Sequence, residues 1–516
     1  MLGLSSPVLF FWGVRARPVF SGRALGVTYA LVCLLLGGGM FSGKLIGGWV
    51  LVLLIAGMVL IRKVIERDRL AEGLHGGWLE SFLDNPARLL MGSFLFIGVV
   101  GAFVLCQPWC SATGVALRPV DALFTSISAV CVTGLVVQDT PGFFSGMGQG
   151  VILGLIQIGG LGIMTLTTLA MHLLGQRLSL RQERVMGSLA HAGHSDLIVS
   201  LATVFRFTLW VELVGSAGLF FLFLKLGDSL PDALWRGVFT SISAFCNAGF
   251  ALQTDSLVGY AHEPLVLHMV GFLIMAGGLA PATCLMIPHW IGGKRIPIAA
   301  KLALITTAAF LILGWIGILV FEWEGVLSDF GIADKLHHAW FQSVTLRTAG
   351  FNSVDIAPIS HPTYLLMLIF MFVGGSPGGT AGGIKTTTVA VLAVAFWTDI
   401  MHRSEIVVHN RRITPRTVYR AITIVMSGIL LWMSVVFFLE VTQSISARDL
   451  VFEATSALGT VGLSTGATGQ LDDIGKLTIV FAMFAGRVGP MTLFLLLSRQ
   501  RVDTVPSCPD ARIPLS

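Results

Sequence analysis

The sequence predicts an all-α membrane protein in which four pseudo-symmetric repeats of helix, pore loop and helix surround a central pore, with two extra transmembrane helices at the N-terminus. Three observations predict it. The 516 residues are 54% hydrophobic and only 12% charged, with a mean hydropathy of +0.83, too little charge to cover the surface of a soluble protein. Long apolar stretches return along the chain, each near the roughly 20 residues that cross a hydrocarbon core about 30 Å thick. One short glycine-containing motif occurs four times between such stretches.

The stretches lie near 26–42, 45–62, 88–106, 147–174, 197–226, 263–290, 299–321, 363–397, 417–440 and 474–498. The first two belong to an N-terminal unit, residues 1–87. Repeats follow at 88–195, 196–298, 299–416 and 417–498, and a tail at 499–516. The first stretch leads into the second without a small-residue cleavage pattern, so it is expected to stay as an anchor. A net charge of +5 says less than where the charges fall. Arg15, Arg17 and Arg23, then Arg62, Lys63, Arg67, Arg69 and Arg88, Arg177, Arg181 and Arg184, Lys294, Arg295 and Lys301, Arg403, Arg411, Arg412 and Arg416, and Arg499 and Arg501 mark alternate loops. The positive-inside rule makes these loops, and both termini, cytoplasmic. The opposite loops carry Asp121, Asp139, Asp228, Asp232, Asp255, Glu322, Glu324, Asp329, Asp334, Asp355, Asp449, Asp472 and Asp473; an acidic outer mouth would concentrate cations, though loop acids are more often plain solvated surface. Of the seven cysteines, Cys106 and Cys110 leave pairing or a metal open, with small buried thiols the preferred reading.

The repeated motif reads LFTSISAVCVTGL at 123–135, VFTSISAFCNAGF at 238–250, AWFQSVTLRTAGF at 339–351 and VFEATSALGTVGL at 451–463. Stacked without gaps, the windows align Phe124, Phe239, Trp340 and Phe452 in one column and Gly134, Gly249, Gly350 and Gly462 in another. A second glycine follows each in the next apolar stretch: Gly159 with Gly160, Gly277 with Gly278, Gly374 with Gly375, and Gly486. Asp121, Asp232, Asp334 and Asp449 precede the windows where a helix N-cap belongs. Each window thus predicts a helix too short to span, entering from outside with its carboxyl end at the membrane centre. Four such ends, each carrying roughly half a negative charge, favour a cation. Beyond them Val132, Thr133 and Gly134, Asn247, Ala248 and Gly249, Thr348, Ala349 and Gly350, and Thr460, Val461 and Gly462 are expected to run extended, with carbonyls replacing an ion's hydration shell.

The stretches FTSISAFCNAGF, FQSVTLRTAGFNS, FEATSALGTVGLSTG, GGSPGGTAGGIKTTT and GRVGPMTL resemble the Trk, Ktr and HKT superfamily of potassium transporters, over nearly all of 88–498. The resemblance implies an ion-translocating membrane subunit with one pseudo-fourfold pore. It implies K+ held by backbone carbonyls of the twelve residues just named. Glycine in every segment goes with potassium in this superfamily and serine in the first with sodium, so Gly134 favours K+. The two N-terminal spans are a trait of Trk rather than Ktr subunits.

Residues 374–388 fall inside an apolar stretch, yet Gly374, Gly375, Pro377, Gly378, Gly379, Gly382 and Gly383 break any helix there. By resemblance this is an intramembrane gate loop in the third repeat. Ser376, Thr380 and Thr386 would offer oxygens beside the path. Lys385 and Arg487 are the charges that lipid tolerates least; Arg487, at the glycine column of the last helix, is expected to set the barrier of the closed state, and Lys385 either joins it or snorkels to the interface. Arg347 and Glu453 match the Ktr pattern and read as structural, through a buried pair or backbone contacts behind the filter. His337 and His338 read as capping or solvating a loop rather than as metal ligands. No P-loop, HExxH or nucleophile elbow points to an enzyme, and no covalent cofactor is expected. A GxGxxG unit is also missing from the sequence, so the resemblance implies a cytosolic nucleotide-binding regulatory subunit as a separate chain, docking on the basic loops at 176–195 and 399–416. It also implies a homodimer in the cytoplasmic (inner) membrane. The rival readings are a sodium-coupled or sodium-selective relative and a non-conducting scaffold.

Overall fold

The computed structural model describes residues 86–162 and 196–489. The expected spans at 26–42 and 45–62, most of the basic link at 62–88, the link at 175–195, the distal parts of 147–174 and 474–498 and the tail at 499–516 lie outside the described residues.

A long helix, a short helix and a further helix follow one another four times in the described residues. First come α1 (Pro86–Leu105), α2 (Pro119–Val130) and α3 (Gly146–Leu161); then α4 (Asp196–Lys225), α5 (Leu230–Phe245), α6 (Pro264–Gly278) and α7 (Pro281–Ile291). The third set is α8 (Ile298–Phe321), α9 (Ile332–Thr345), α10 (His361–Phe372) and α11 (Thr386–Ile400), and the last is α12 (Pro415–Thr442), α13 (Ala447–Gly459) and α14 (Asp473–Val488). A two-stranded hairpin, β1 (Val407–Val408) and β2 (Arg411–Arg412), lies between the last two sets.

Residues Ala202–Lys225 of α4, together with α8 and α12, are long and apolar enough to cross a membrane. Their outward faces stay apolar, with Trp210, Phe221, Val320 and Phe437 largely exposed, as lipid requires. The short helices α2, α5, α9 and α13 have 12, 16, 14 and 13 residues. They are too short to span and are buried chiefly over their carboxyl-terminal halves.

Two expectations about spans change. The stretch 263–290 is not one helix, because α6 and α7 meet at a 104° bend. Gly277, Gly278 and Pro281 account for the break, since glycine stiffens a helix poorly and Pro281 withholds an amide. The stretch 363–397 breaks as expected, leaving a loop between α10 and α11.

The four aspartates stand inside the first helical turn rather than at the N-cap. Ser229 and Ser446 are the caps of α5 and α13, each accepting the amide of the aspartate three residues on and donating its hydroxyl to that aspartate at 2.6 Å. A serine and a carboxylate in these places form a reciprocal cap, and the carboxylate faces the positive end of the helix dipole. The caps of α2 and α9 are Arg118 and Gly331, neither of which bonds its helix end through a side chain.

The aromatic column also needs a shift. Phe124, Phe239, Phe341 and Phe452 are all at most 1% exposed. The third member is therefore Phe341, not Trp340, which is only partly buried. Phe124, Phe239 and Phe452 stand ten residues before their glycine and Phe341 nine. The turn after the helix explains the difference. Thr133, Ala248 and Val461 amides bond carbonyls five residues back, whereas the Ala349 amide bonds Thr345, four back. Each of three phenylalanines packs among residues of the preceding repeat: Phe341 with Leu219, Val270 and Leu273, Phe452 with Leu327, Met367 and Met371, and Phe124 with Leu439, Ile479 and Met483. The repeats therefore interlock in a circle.

Candidate functional site

The four glycine segments close a ring. A Cβ built on Gly134 would run into the Ala248 carbonyl; on Gly249 it would lie 2.8 Å from Ala349 O, on Gly350 2.6 Å from Val461 O, and on Gly462 it would run into the Thr133 carbonyl. Each glycine thus abuts the next segment's carbonyl in cyclic order, and the last returns to the first. All four glycines have φ between 72° and 92°. Any side chain there would be strained by its backbone as well as crowded by its neighbour.

The residues two places before the glycines depart from the extended conformation expected of them. Val132, Asn247, Thr348 and Thr460 have φ of 55°, 59°, 64° and 51°. Left-handed backbone costs about 1–2 kcal/mol in an L-residue, and three of the four are β-branched, where it is least tolerated. Such strain persists only where the surroundings over-determine it, which is typical of functional sites. The surroundings here are the helix-end bonds already described, together with Ser128 and Ser456. Their hydroxyls accept the amides of Gly134 and Gly462 at 3.1 and 3.0 Å. The hydroxyls of Ser128 and Ser243 in turn donate to the carbonyls of Leu135 and Phe250, both at 2.7 Å. The buried hydroxyls of Thr133, Thr348 and Thr460 bond no protein group.

Behind the ring, the inner-helix glycines admit the ends of the short helices. A Cβ on Gly159, Gly277 or Gly486 would strike the carbonyl of Val130, Phe245 or Leu458 respectively. Gly374 differs. It belongs to the loop, and its carbonyl accepts the Arg347 guanidinium at 2.6 Å.

The loop from Val373 to Lys385 folds back on itself, with the Gly374 amide bonded to Ile384 O at 2.9 Å and the Ile384 amide to Phe372 O at 3.2 Å. It lies against the ends of two other repeats. The amides of Ser376 and Thr380 bond the carbonyls of Gly278 and Gly277, both at 3.0 Å. Gly379 packs on Gly278, and Gly382 has no room for a side chain beside Thr460. Pro377 and Gly378, with φ 83° at the glycine, make the turn between these contacts. The Thr380 hydroxyl sits 3.2 Å from Phe245 O and 3.1 Å from Asn247 Oδ1. Of the three hydroxyls expected near the path, only this one meets a residue of the glycine segments. Ser376 and Thr386 hydroxyls bond carbonyls of the loop itself, both at 3.5 Å.

Arg487 ties the loop to the first repeat. Its guanidinium donates to Thr380 O and, at 2.5 Å, to Gly159 O. Gly159 lies in the last turn of α3, whose unsatisfied carbonyls form the negative end of the helix dipole. Lys385 turns back into the loop, with Nζ 2.6 Å from Ala381 O.

Other charged residues take structural places. Arg347 and Glu453 do not pair. Arg347 is held by Gly374 O, and Glu453 accepts hydroxyls of Ser464 and Thr468, both at 2.5 Å, and the Thr465 amide at 3.2 Å. His337 and His338 are not in a loop but inside α9. His337 Nδ1 meets His268 Nε2 at 2.8 Å, and fully buried His338 bonds the Ser353 hydroxyl at 2.9 Å. Cys106 and Cys110 are free thiols. Two acids of the supposed outer face point inward: Asp121 pairs with Lys476 at 2.7 Å, and Glu322 is 2% exposed. Sequence reading also passed over Glu212, a buried carboxylate inside α4 bonded by Gln157 at 3.0 Å; an acid in an apolar run was the available signal.

These features define a multi-pass helical membrane protein whose short helices and glycine segments surround one axis. Residues 96–502 match the TrkH family of cation transport proteins, and the chain belongs to it, as a membrane subunit of the Trk and Ktr type. The chain is 34% identical to the Ktr system potassium uptake protein B of Vibrio alginolyticus over 80% of this chain and 91% of that one. It is 33% identical to the potassium/sodium uptake protein NtpJ of Enterococcus hirae over 84% and 97%. The crystal structure of the potassium transporter TrkH from Vibrio parahaemolyticus shares the fold, with a TM-score of 0.64 at 18% identity over 95% of this chain and 96% of that one.

Proposed function

We propose that the protein takes up potassium through a channel-like pore, selecting the ion in the glycine ring and gating it with the loop 374–388 and Arg487. The observation that carries the reading is the closed circle of Gly134, Gly249, Gly350 and Gly462 against neighbouring carbonyls. Backbone oxygens arranged in this way replace water around a dehydrated cation. The carboxyl ends of four short helices add negative potential at the same axis. Beneath the ring, the loop bonds the second repeat and, through Arg487, the first. A guanidinium there opposes a cation by direct repulsion, and its release from Thr380 O is the opening step.

The names of the related uptake proteins support potassium as cargo. Sodium is the second reading, favoured by the relative named for both ions. A separate nucleotide-binding subunit on the basic surface at 399–416, a homodimer, an inner-membrane location and cytoplasmic termini complete the proposal. Rubidium influx into proteoliposomes tests it. Gly134→Ser is expected to cut influx and to raise sodium competition; unchanged rate and selectivity would overturn the filter assignment.

A further inference from the structure

We infer that the Asn247 side chain couples the gate loop to the third filter segment, so that moving the loop alters the filter; this rests on the filter and gate reading above. Asn247 is 1% exposed. Its Nδ2 donates to Arg347 O at 3.2 Å, and its Oδ1 faces the Thr380 hydroxyl at 3.1 Å. Arg347 immediately precedes the trio Thr348, Ala349 and Gly350, so its carbonyl orients the peptide that enters the third segment. One amide therefore bridges two repeats, with its donor on the filter and its acceptor on the loop. The asparagine amide combines both functions on one planar group.

The bland explanation is that asparagine is present because it tolerates left-handed backbone. The other three repeats answer it. Val132, Thr348 and Thr460 hold the same conformation without an amide, and the hydroxyls of Thr348 and Thr460 bond no protein group. The backbone does not require asparagine; the bridge does. Thr380 is well placed for release, since its single hydroxyl proton is shared between Phe245 O and Asn247 Oδ1. When the loop withdraws, Oδ1 loses its partner while still buried. Buried acceptors seek partners, so the amide reorients and frees Arg347 O. The third segment then has a different clamp in the open state than in the closed one.

The test separates backbone from side chain. Asn247→Gly keeps the left-handed conformation and removes both arms of the bridge. Thr380→Val removes the loop arm, together with the Phe245 contact, and leaves the arm to Arg347 O. In proteoliposomes containing the full-length protein, resting rubidium influx is expected to rise roughly tenfold in both, the population shift of one lost hydrogen bond. Rubidium-over-sodium selectivity is expected to fall in both, because Asn247→Gly removes the clamp on Arg347 O and Thr380→Val leaves Oδ1 without the partner that holds the amide in place. Asn247→Ser, too short to bridge, is expected to match the glycine variant and serves if glycine lowers the yield of folded protein. Wild-type influx and selectivity in these Asn247 variants would overturn the coupling. Arg487→Gln and Gly134→Ser are run beside them. If those two shift influx and selectivity while the Asn247 variants do not, only the coupling fails. If they too leave both readouts unchanged, the filter and gate reading fails with it.

Discussion

At the scale of single residues, the ring and its backing depend on positions where a hydrogen atom is all that fits. Gly486→Ala is expected to lower stability by about 1–3 kcal/mol, the usual cost of overpacking, because its methyl would strike Leu458 O; thermal denaturation in detergent measures it. The buried pair of Asp121 and Lys476 gives a larger effect, since removing one partner strands a charge. Asp121→Asn is expected to cost about 3–5 kcal/mol by the same assay, and a loss below 1 kcal/mol would mean that Lys476 finds water instead. The glycines were legible in the sequence because four windows repeat them. The partners of the charged side chains were not, since Asp121 meets Lys476, and Arg487 meets Gly159, across 355 and 328 residues of sequence. Spacing carries no record of such contacts. The handedness of Val132, Thr348 and Thr460 was hidden for another reason: β-branched residues ordinarily announce extended backbone.

At the scale of elements, the third short helix is one residue out of step with the others. Phe341→Ala is expected to cost about 3–5 kcal/mol and Trp340→Ala clearly less; equal losses on thermal denaturation would restore the ungapped register. Glycine spacing could not reveal this shift, because a tighter turn absorbs it. The break between α6 and α7 was more accessible, as two glycines and a proline mark it. The carboxyl end of α8 offers a pH test. Burial raises the pKa of Glu322, but hydroxyl bonds from Thr363 and Ser360 and amides of Ser360 and Val326 outweigh it and hold the carboxyl below the ordinary 4.5. A depressed folded-state pKa stabilises above the unfolded value and fades as pH falls through the folded one. Melting temperature is therefore expected to fall on acidification below about pH 4, and Glu322→Gln to flatten that slope; identical slopes would show that other carboxylates dominate.

At the scale of the whole molecule, the helical membrane architecture was legible from the apolar stretches, because lipid forces regular helices. The circular order of contacts was not legible, since a linear motif does not say which copy neighbours which. That order has a consequence for how the protein is made. A nascent chain emerges and enters the bilayer from its N-terminal side first. Yet the carbonyl of Thr133 receives its neighbour only when Gly462 has been synthesised, and Phe124 is buried only when α12 and α14 arrive. Until then the first repeat must hold polar backbone at membrane depth with one flank open, a state that hydrocarbon penalises. Ribosomes that stall before the fourth repeat should therefore leave fragments that membrane proteases recognise, so that assembly is all or nothing.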